Sequence, residues 1–432
     1  MARNLPVSTI SERLILAIRN VLGSSEFINQ HKNAAQDFIR NRTLTFPRLF
    51  LLLANFNNGS YQAELDNFFK VLNSWDVAIR TVTAGALSTA RKKLKFTAFT
   101  ALNELLLSMF YEHGSPQRWK GFRVLAGDGS TVKIPKVPAL AAHFGVWGAS
   151  KGEPCPMARV SAVFDVLNSV YVHALIRPKA QGERRLLAEH LAVLGSGDLL
   201  LLDRGYPAYW IFARILGQGA EFCARISAAR WQVVKAFSET GLLDQIITLK
   251  PGRRDRGALC QPLRLRLLRI DIGTEEPEFL ITSLLDQEQF PYEEFQELYH
   301  KRWGVEEAYK ILKARIEIEA FTGKSVESIY QDFHAALFAA NLTSVLAAPT
   351  TEVIEQKCQG RKYHYQLNHS QALGKMRNTI ILLFTRLDIS EILAQLIDLF
   401  VKTIEAVRPG RMYQRIKKVK VPKYFMAYKR FA

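Results

Sequence analysis

The rhythm of apolar and polar positions changes twice along the chain. Up to about residue 115 the apolar positions recur at helical spacing. Thr9 and Glu12 fit a capping box that opens the first such segment, Pro47 suits the start of another, and YQAELDNFFKVL reads as a third. From about 120 the pattern becomes β-rich: FRVLAGDGSTVKI, ARVSAVFDVLNSVYVHALI, GDLLLLD and EFCARIS, with helical ERRLLAEHLAVL and PAYWIFARILGQ between them. Strands in succession, then strands alternating with helices, predict an α/β fold with a mixed sheet and helices packed on it. ARWQVVKAF through EPEFLITSLLD (229–286) reads as strands again, around a basic turn, PGRRDRG. A long helix is predicted from near Pro291, and the chain stays mostly helical to about 406.

That long helix carries YHKRWGVEEAYKILK. At about 100° per residue, Tyr299, Arg302, Glu306 and Lys313 share one narrow stripe, while Leu298, Val305, Ala308, Leu312 and Ile316 form a neighbouring apolar arc suited to a core. A phenol, a guanidinium, a carboxylate and an ammonium on one stripe read either as a solvated face or as part of a site.

Charge changes the picture. The 432 residues have a formal net charge of +18, which favours a polyanionic partner, nucleic acid before an anionic membrane surface. Hydrophobic residues make up 48%, enough for sizeable cores and too many for global disorder. No apolar run reaches the length of a spanning helix, LFLLLANF being a buried helix segment, and MARNLPVSTISERL lacks a signal-peptide core. The expectation is a cytoplasmic protein without a membrane partner. Cys155, Cys223, Cys260 and Cys358 are scattered without a C-x-x-C, and Cys358 with His364 and His369 matches no zinc spacing. In LSTARKKL, Ser88 and Thr89 precede Arg91, Lys92 and Lys93, a pattern that suits phosphate contacts or a solvated basic helix. The tail 408–430 holds nine Lys or Arg and no acid, interleaved with Tyr413, Tyr424, Phe425 and Tyr428, which suits DNA or a solubilising extension.

Three acids are candidates for chemistry. Asp128 in AGDGST is either a hairpin-turn residue or a strand residue pointing from one face. Asp203 follows four leucines that read as a central buried strand, and lies where that strand should end, as ligand or as helix cap. Glu306 alone reads as an ordinary helix glutamate. Together they form a hard, oxygen-only set that suits Mg²⁺ or Mn²⁺ and in-line phosphoryl transfer on nucleic acid.

Tyr299, Arg302, Glu306 and Lys313 match Y-x2-R-x3-E-x6-K, DGST resembles a first-aspartate motif and LLLLDRGY a second. On these residues the chain resembles the IS-four family of insertion-sequence transposases, in the DDE, ribonuclease-H-like superfamily. The resemblance is firm over about 120–325 and looser around LSTARKKL. It implies a ribonuclease-H-like mixed sheet of five strands, with Asp128 on the first, Asp203 after the fourth and Glu306 on a later helix. The domain layout it suggests is a helical DNA-binding region (1–115), a catalytic core (116–228 and 287–345) broken by a β-rich insertion (229–286), and a helical C-terminal region with the basic tail (346–432). It further implies two Mg²⁺ ions on Asp128, Asp203 and Glu306, with Mn²⁺ as a substitute. Tyr299, Arg302 and Lys313 would hold phosphates, and Trp303 would stack a base or pack in the core. Arg91 and Lys92 would contact DNA. The implied activity is cut-and-paste transposition, in some members through hairpin ends, on terminal inverted repeats and target DNA, by a homodimer. A nuclease on the same fold, or an inactive DNA-binding relative, are the alternatives; the presence of all three acids argues against the second.

Overall fold

The computed structural model describes residues 7–40, 42–55, 59–148, 154–252, 255, 261–271 and 277–408. The basic tail beyond Arg408 and most of PGRRDRG lie outside them. Six helices come first: α1 (Val7–Gly23), α2 (Ser25–His31), α3 (Phe46–Ala54), α4 (Tyr61–Asn73), α5 (Ala84–Arg91) and α6 (Thr97–His113). Then come β1 (Arg123–Lys133), α7 (Pro138–Phe144), β2 (Val146–Trp147), β3 (Cys155–Asp165), β4 (Val170–Pro178), α8 (Glu183–His190), β5 (Asp198–Leu202), α9 (Tyr209–Gly217) and β6 (Glu221–Ile226). After α10 (Gln232–Thr240) follow β7 (Asp244–Leu249), β8 (Leu263–Ile270), β9 (Glu278–Thr282), α11 (Glu294–His300) and α12 (Trp303–Ala314). The last elements are α13 (Val326–Ala347), α14 (Thr350–Lys357), β10 (His364–Leu367), α15 (His369–Met376), α16 (Thr379–Thr385), α17 (Ser390–Lys402) and β11 (Ile404–Val407).

Two compact units result, one from Met1–Pro116, Val132–Met157 and Ile311–Ala432, the other from Gln117–Thr131 and Ala158–Lys310. In the first, helices from both ends of the chain share one core. α13 is buried along most of its length and packs against α6 and α3. Phe50 of α3 stacks on Phe99 of α6 at 4.4 Å and meets Phe338 of α13 edge-on at 5.2 Å. Ser325 and Ser328 close a capping box at the start of α13. Among the described residues no single helix is long and apolar enough to cross a membrane.

The sheet has nine strands in the order β2-β3-β1-β5-β6-β9-β8-β7, with β4 on β3. β5 lies parallel to both β1 and β6, while the β3–β4, β6–β9, β8–β9 and β7–β8 pairs are antiparallel. The mixed sheet flanked by helices matches the expected fold class, but it has nine strands where five were expected; leaving aside the two-residue β2, Asp128 lies on the first strand and Asp203 directly follows the fourth. Leu199 to Leu202 are wholly buried. Period two turns Leu200 and Leu202 toward a core shared with Phe212 and Ile215 of α9 and with Leu187 of α8. Each such leucine contributes about 2 kcal/mol.

Three local expectations are corrected. Gln232–Thr240 is a helix, not a strand, because Val234 and Phe237 are buried three residues apart while Lys235 and Ser238 stay out. The strands of 229–286 begin only at β7, and they extend the main sheet. The helix expected from Pro291 is two helices joined by a tight turn at Lys301 and Arg302, where Arg302 N–H donates to Tyr299 O (3.0 Å) and Gly304 N–H to Lys301 O (2.9 Å). Finally, the backbone of Thr9 is helical, within α1, where a cap preceding the helix was expected.

Candidate active site

Asp128 sits in the middle of β1, so Asp-Gly here makes no hairpin. Neither Gly127 nor Gly129 has a positive φ. Gly129 is needed for room: a Cβ there would stand 3.3 Å from Glu183 Cγ and 3.5 Å from the Tyr206 hydroxyl. One Asp128 oxygen accepts the Gly129 N–H at 2.8 Å. Burial pushes its carboxyl up to about 6, with the charges of Glu306 and Asp203 raising it further against the pull of Gly129 and Arg302. The charges of Asp203 and Glu306 thus both bear on Asp128.

Strand register explains two members. The parallel pairs end at Gly127↔Leu202 and Leu202↔Ala224. One residue further on each chain are Asp128, Asp203 and Arg225, side by side at about 4.8 Å strand spacing. Arg225 accordingly grips Asp203 through Nε (3.1 Å) and Nη2 (3.0 Å), and its Nη1 donates to Glu278 of β9. Asp203 thus lies just beyond the carboxyl end of β5, where α/β sheets commonly bind ligands, and Asp128 sits where the parallel pairing of β1 with β5 stops.

Glu306 comes from α12. The predicted apolar arc is buried as expected: Leu298, Val305, Ala308, Leu312 and Ile316. Gly304 lets the start of α12 close on the β3–β4 turn, since a Cβ there would lie 3.2 Å from Val166 Cγ1. Tyr309, one turn past Glu306, donates its hydroxyl proton to the Asp128 carbonyl (2.9 Å), and Tyr171 of β4 donates to Ala308 O (2.9 Å). Glu306 accepts from Arg302 Nη2 at 2.9 Å. Arg302 is 3% exposed, lies over the Tyr299 and Trp303 rings at 5.8 and 4.9 Å, and keeps its Nε buried without a partner among the described residues. Tyr299 is buried and gives its one proton to Leu202 O (3.2 Å), pinning α11 to the end of β5 just before Asp203. Trp303 is 41% exposed, so it is no core residue. Lys313 is half-buried on the last turn of α12.

A hard divalent cation fits this donor chemistry: three carboxylates, one with its ionisation opposed by burial and by the others. As they stand, no three His, Cys, Asp or Glu among the described residues form a ready metal cage. Asp203 and Glu306 are turned onto Arg225 and Arg302 instead.

Arg91 is placed elsewhere, and its expected DNA contact is corrected. It is 4% exposed and all five of its N–H donors are used: Nε on Gln331, Nη1 on Tyr61 and Thr322, Nη2 on Ser328 O and Asp332. None is left for a phosphate. Lys92 beside it is exposed, as are Ser88 and Thr89. Sequence reasoning overlooked Tyr206, Arg225 and Tyr309. Arg225 was legible once EFCARIS is set parallel to LLLLD; Tyr309 was legible as Glu306 plus three. Tyr206 closes the LLLLDRGY motif but was given no role there.

Residues 119–342, just over half of the chain, match the Transposase DDE domain family. Transposase InsG for insertion sequence element IS4 of Escherichia coli (strain K12) is 22% identical over 268 residues, 60% of this chain and 60% of the relative. The chain thus matches about three-fifths of that relative's length. The piggyBac transposase in a synaptic complex with hairpin DNA aligns with a TM-score of 0.47 and 8% identity, covering 92% of this chain and 87% of that one. Asp128, Asp203 and Glu306 all fall within the matched span, and the chain belongs to the DDE transposase family.

Proposed function

We propose that the protein binds the inverted-repeat ends of a mobile DNA element, cuts them, and joins the freed 3′-OH to target DNA in cut-and-paste transposition. What supports this reading is that the charges of Asp203 and Glu306, from two other elements, both bear on Asp128. Asp128, Asp203 and Glu306 hold two Mg²⁺ ions, with Mn²⁺ as a substitute, as DDE transposases generally use divalent metals. When bound, such ions activate the attacking oxygen and stabilise the leaving one. Loading requires Asp203 and Glu306 to turn from their arginines. Arg225 keeps Glu278 as its second partner, and Arg302 is freed to hold a phosphate.

Lys313 and the exposed Lys92 add phosphate contacts, and the exposed Trp303 stacks a base at a distorted or hairpin end. Tyr299 serves by fixing the strand end that carries Asp203. Two ends brought together call for a two-fold dimer in the working complex. The test is cleavage of labelled element ends in Mg²⁺, read on denaturing gels, which also separate hairpin from open products. Wild-type protein cuts and Asp203→Asn does not; cleavage that survives Asp203→Asn refutes the metal-site assignment.

A further inference from the structure

Tyr206 is 3% exposed, and its hydroxyl is buried with no hydrogen-bond partner among the described residues. Such orphans are rare, because a buried hydroxyl without a partner destabilises the fold. This one has a defined position. The chain turns back after Asp203, with Tyr206 N–H donating to Asp203 O at 3.0 Å, and Arg184 Nε holds the turn through Gly205 O at 3.0 Å. The ring is thereby aimed at β1, its hydroxyl about a van der Waals contact from the Cβ position of Gly129, the residue after Asp128. An ordinary phenol, with a pKa of about 10, keeps its proton at neutral pH. Among the described residues it is a donor without an acceptor, set beside the strand position that carries Asp128.

We propose that Tyr206 is a further catalytic residue of DNA strand cutting: its hydroxyl donates a hydrogen bond to a non-bridging oxygen of the scissile phosphate. The inference rests on the transposase reading above. In the cutting step a water oxygen bonds to phosphorus and the bond from phosphorus to the 3′ oxygen breaks. The water loses one proton and the 3′ oxygen gains one, leaving a 3′-OH and a 5′-phosphate. Tyr206 keeps its own proton throughout. Its bond shortens as negative charge grows on the non-bridging oxygen, so the donor stabilises the transition state more than the bound substrate.

Tyr206→Phe removes one oxygen atom and no hydrogen bond among the described residues. The expected result is an unchanged or raised melting temperature, and end-DNA affinity in Ca²⁺ within about twofold of wild type, because little of the donor's effect is felt in the ground state. Single-turnover cleavage should fall about a hundredfold. A second measurement uses ends with sulfur replacing one non-bridging oxygen of the scissile phosphate. In wild type, one isomer should be slowed equally in Mg²⁺ and Mn²⁺, and that slowing should vanish in Tyr206→Phe. A role in packing alone would lower the melting temperature and leave the sulfur effect intact, and that outcome overturns the proposal. So does wild-type cleavage by Tyr206→Phe when Asp203→Asn is inactive. If wild-type protein cuts no ends at all, the transposase reading itself has failed.

Discussion

Arg91→Ala tests whether the basic segment at the end of α5 serves DNA or the fold. The substitution strips Asp332 of a 2.7 Å ion pair and leaves Gln331 Oε1, wholly buried, and the Ser328 carbonyl without their guanidinium donors. Breaking a buried pair by removing one partner costs about 3–5 kcal/mol. Asp332 keeps the Thr322 N–H (2.7 Å) and hydroxyl (2.8 Å) and is 12% exposed, which puts the cost near the lower end, about 3 kcal/mol. For a unit of this size that lowers the melting temperature by roughly 6–12 °C. Urea unfolding supplies the free energy independently. Arg91→Met with Asp332→Leu should recover more than half of the loss, since the lone buried charge is gone. Lys92→Ala is the control: an exposed side chain whose loss changes stability by less than about 0.5 kcal/mol and, on the DNA reading, reduces the salt slope of end binding by about one. A melting temperature of Arg91→Ala within a degree of wild type, with end affinity lost, would refute the structural role.

The half-buried Asp128 and the buried His190 have opposite pH signatures. Asp128 has a raised pKa, about 6, so its contribution is present below its unfolded value near 4 and is lost as pH rises through 6. Asp128→Asn should then be more stable than wild type at pH 7, by up to about 3 kcal/mol, with no difference below pH 4. Burial, then the charges of His173 and Arg177, lowers His190 to about 3, so its contribution is present above 6.5 and is lost as pH falls toward 3. Melting curves of His190→Gln should show a shallower acid loss than wild type, and a parallel curve would discount the shift. Gly304→Ala forces a methyl against Val166 and should cost about 1–3 kcal/mol, with cleavage lost as α12 tilts; Val166→Ala should restore both, and failure to do so would place the strain elsewhere.

The legible parts of this chain are those where one local rule decides. Four leucines in a row mark a strand buried on both faces, and the acid after them falls at its end because the buried run stops there. The arc from Leu298 to Ile316 follows from helical period alone. The same projection failed for Tyr299. It carried one helical phase through Lys301 and Arg302, where the chain makes a tight turn, so the phenol points to the Leu202 carbonyl. Arg91 failed for another reason. Its acid partner lies 241 residues away on α13, and nothing near Arg91 in sequence announces a buried counter-charge. In α10, Val-Val suggested a strand, and only the burial of Phe237 with Val234 decides for a helix.

The arginines at the carboxylate cluster follow from the same geometry that assembles it. Parallel strands in register bring equivalent positions together, so a site built from the residues just past Gly127 and Leu202 must also take whatever stands past Ala224. A third acid there would add to the repulsion that already raises Asp128. An apolar residue would leave Asp203 without a counter-charge. An arginine satisfies Asp203 in the free protein and, being paired with Glu278 as well, has somewhere to remain when Asp203 turns away. Arg302 does the same for Glu306 from one helical turn earlier, its stem buried and its guanidinium resting on two aromatic rings. Asp203 and Glu306 are thus each paired with an arginine, whereas Asp128, central in its strand, accepts the Gly129 N–H and bears the raised pKa.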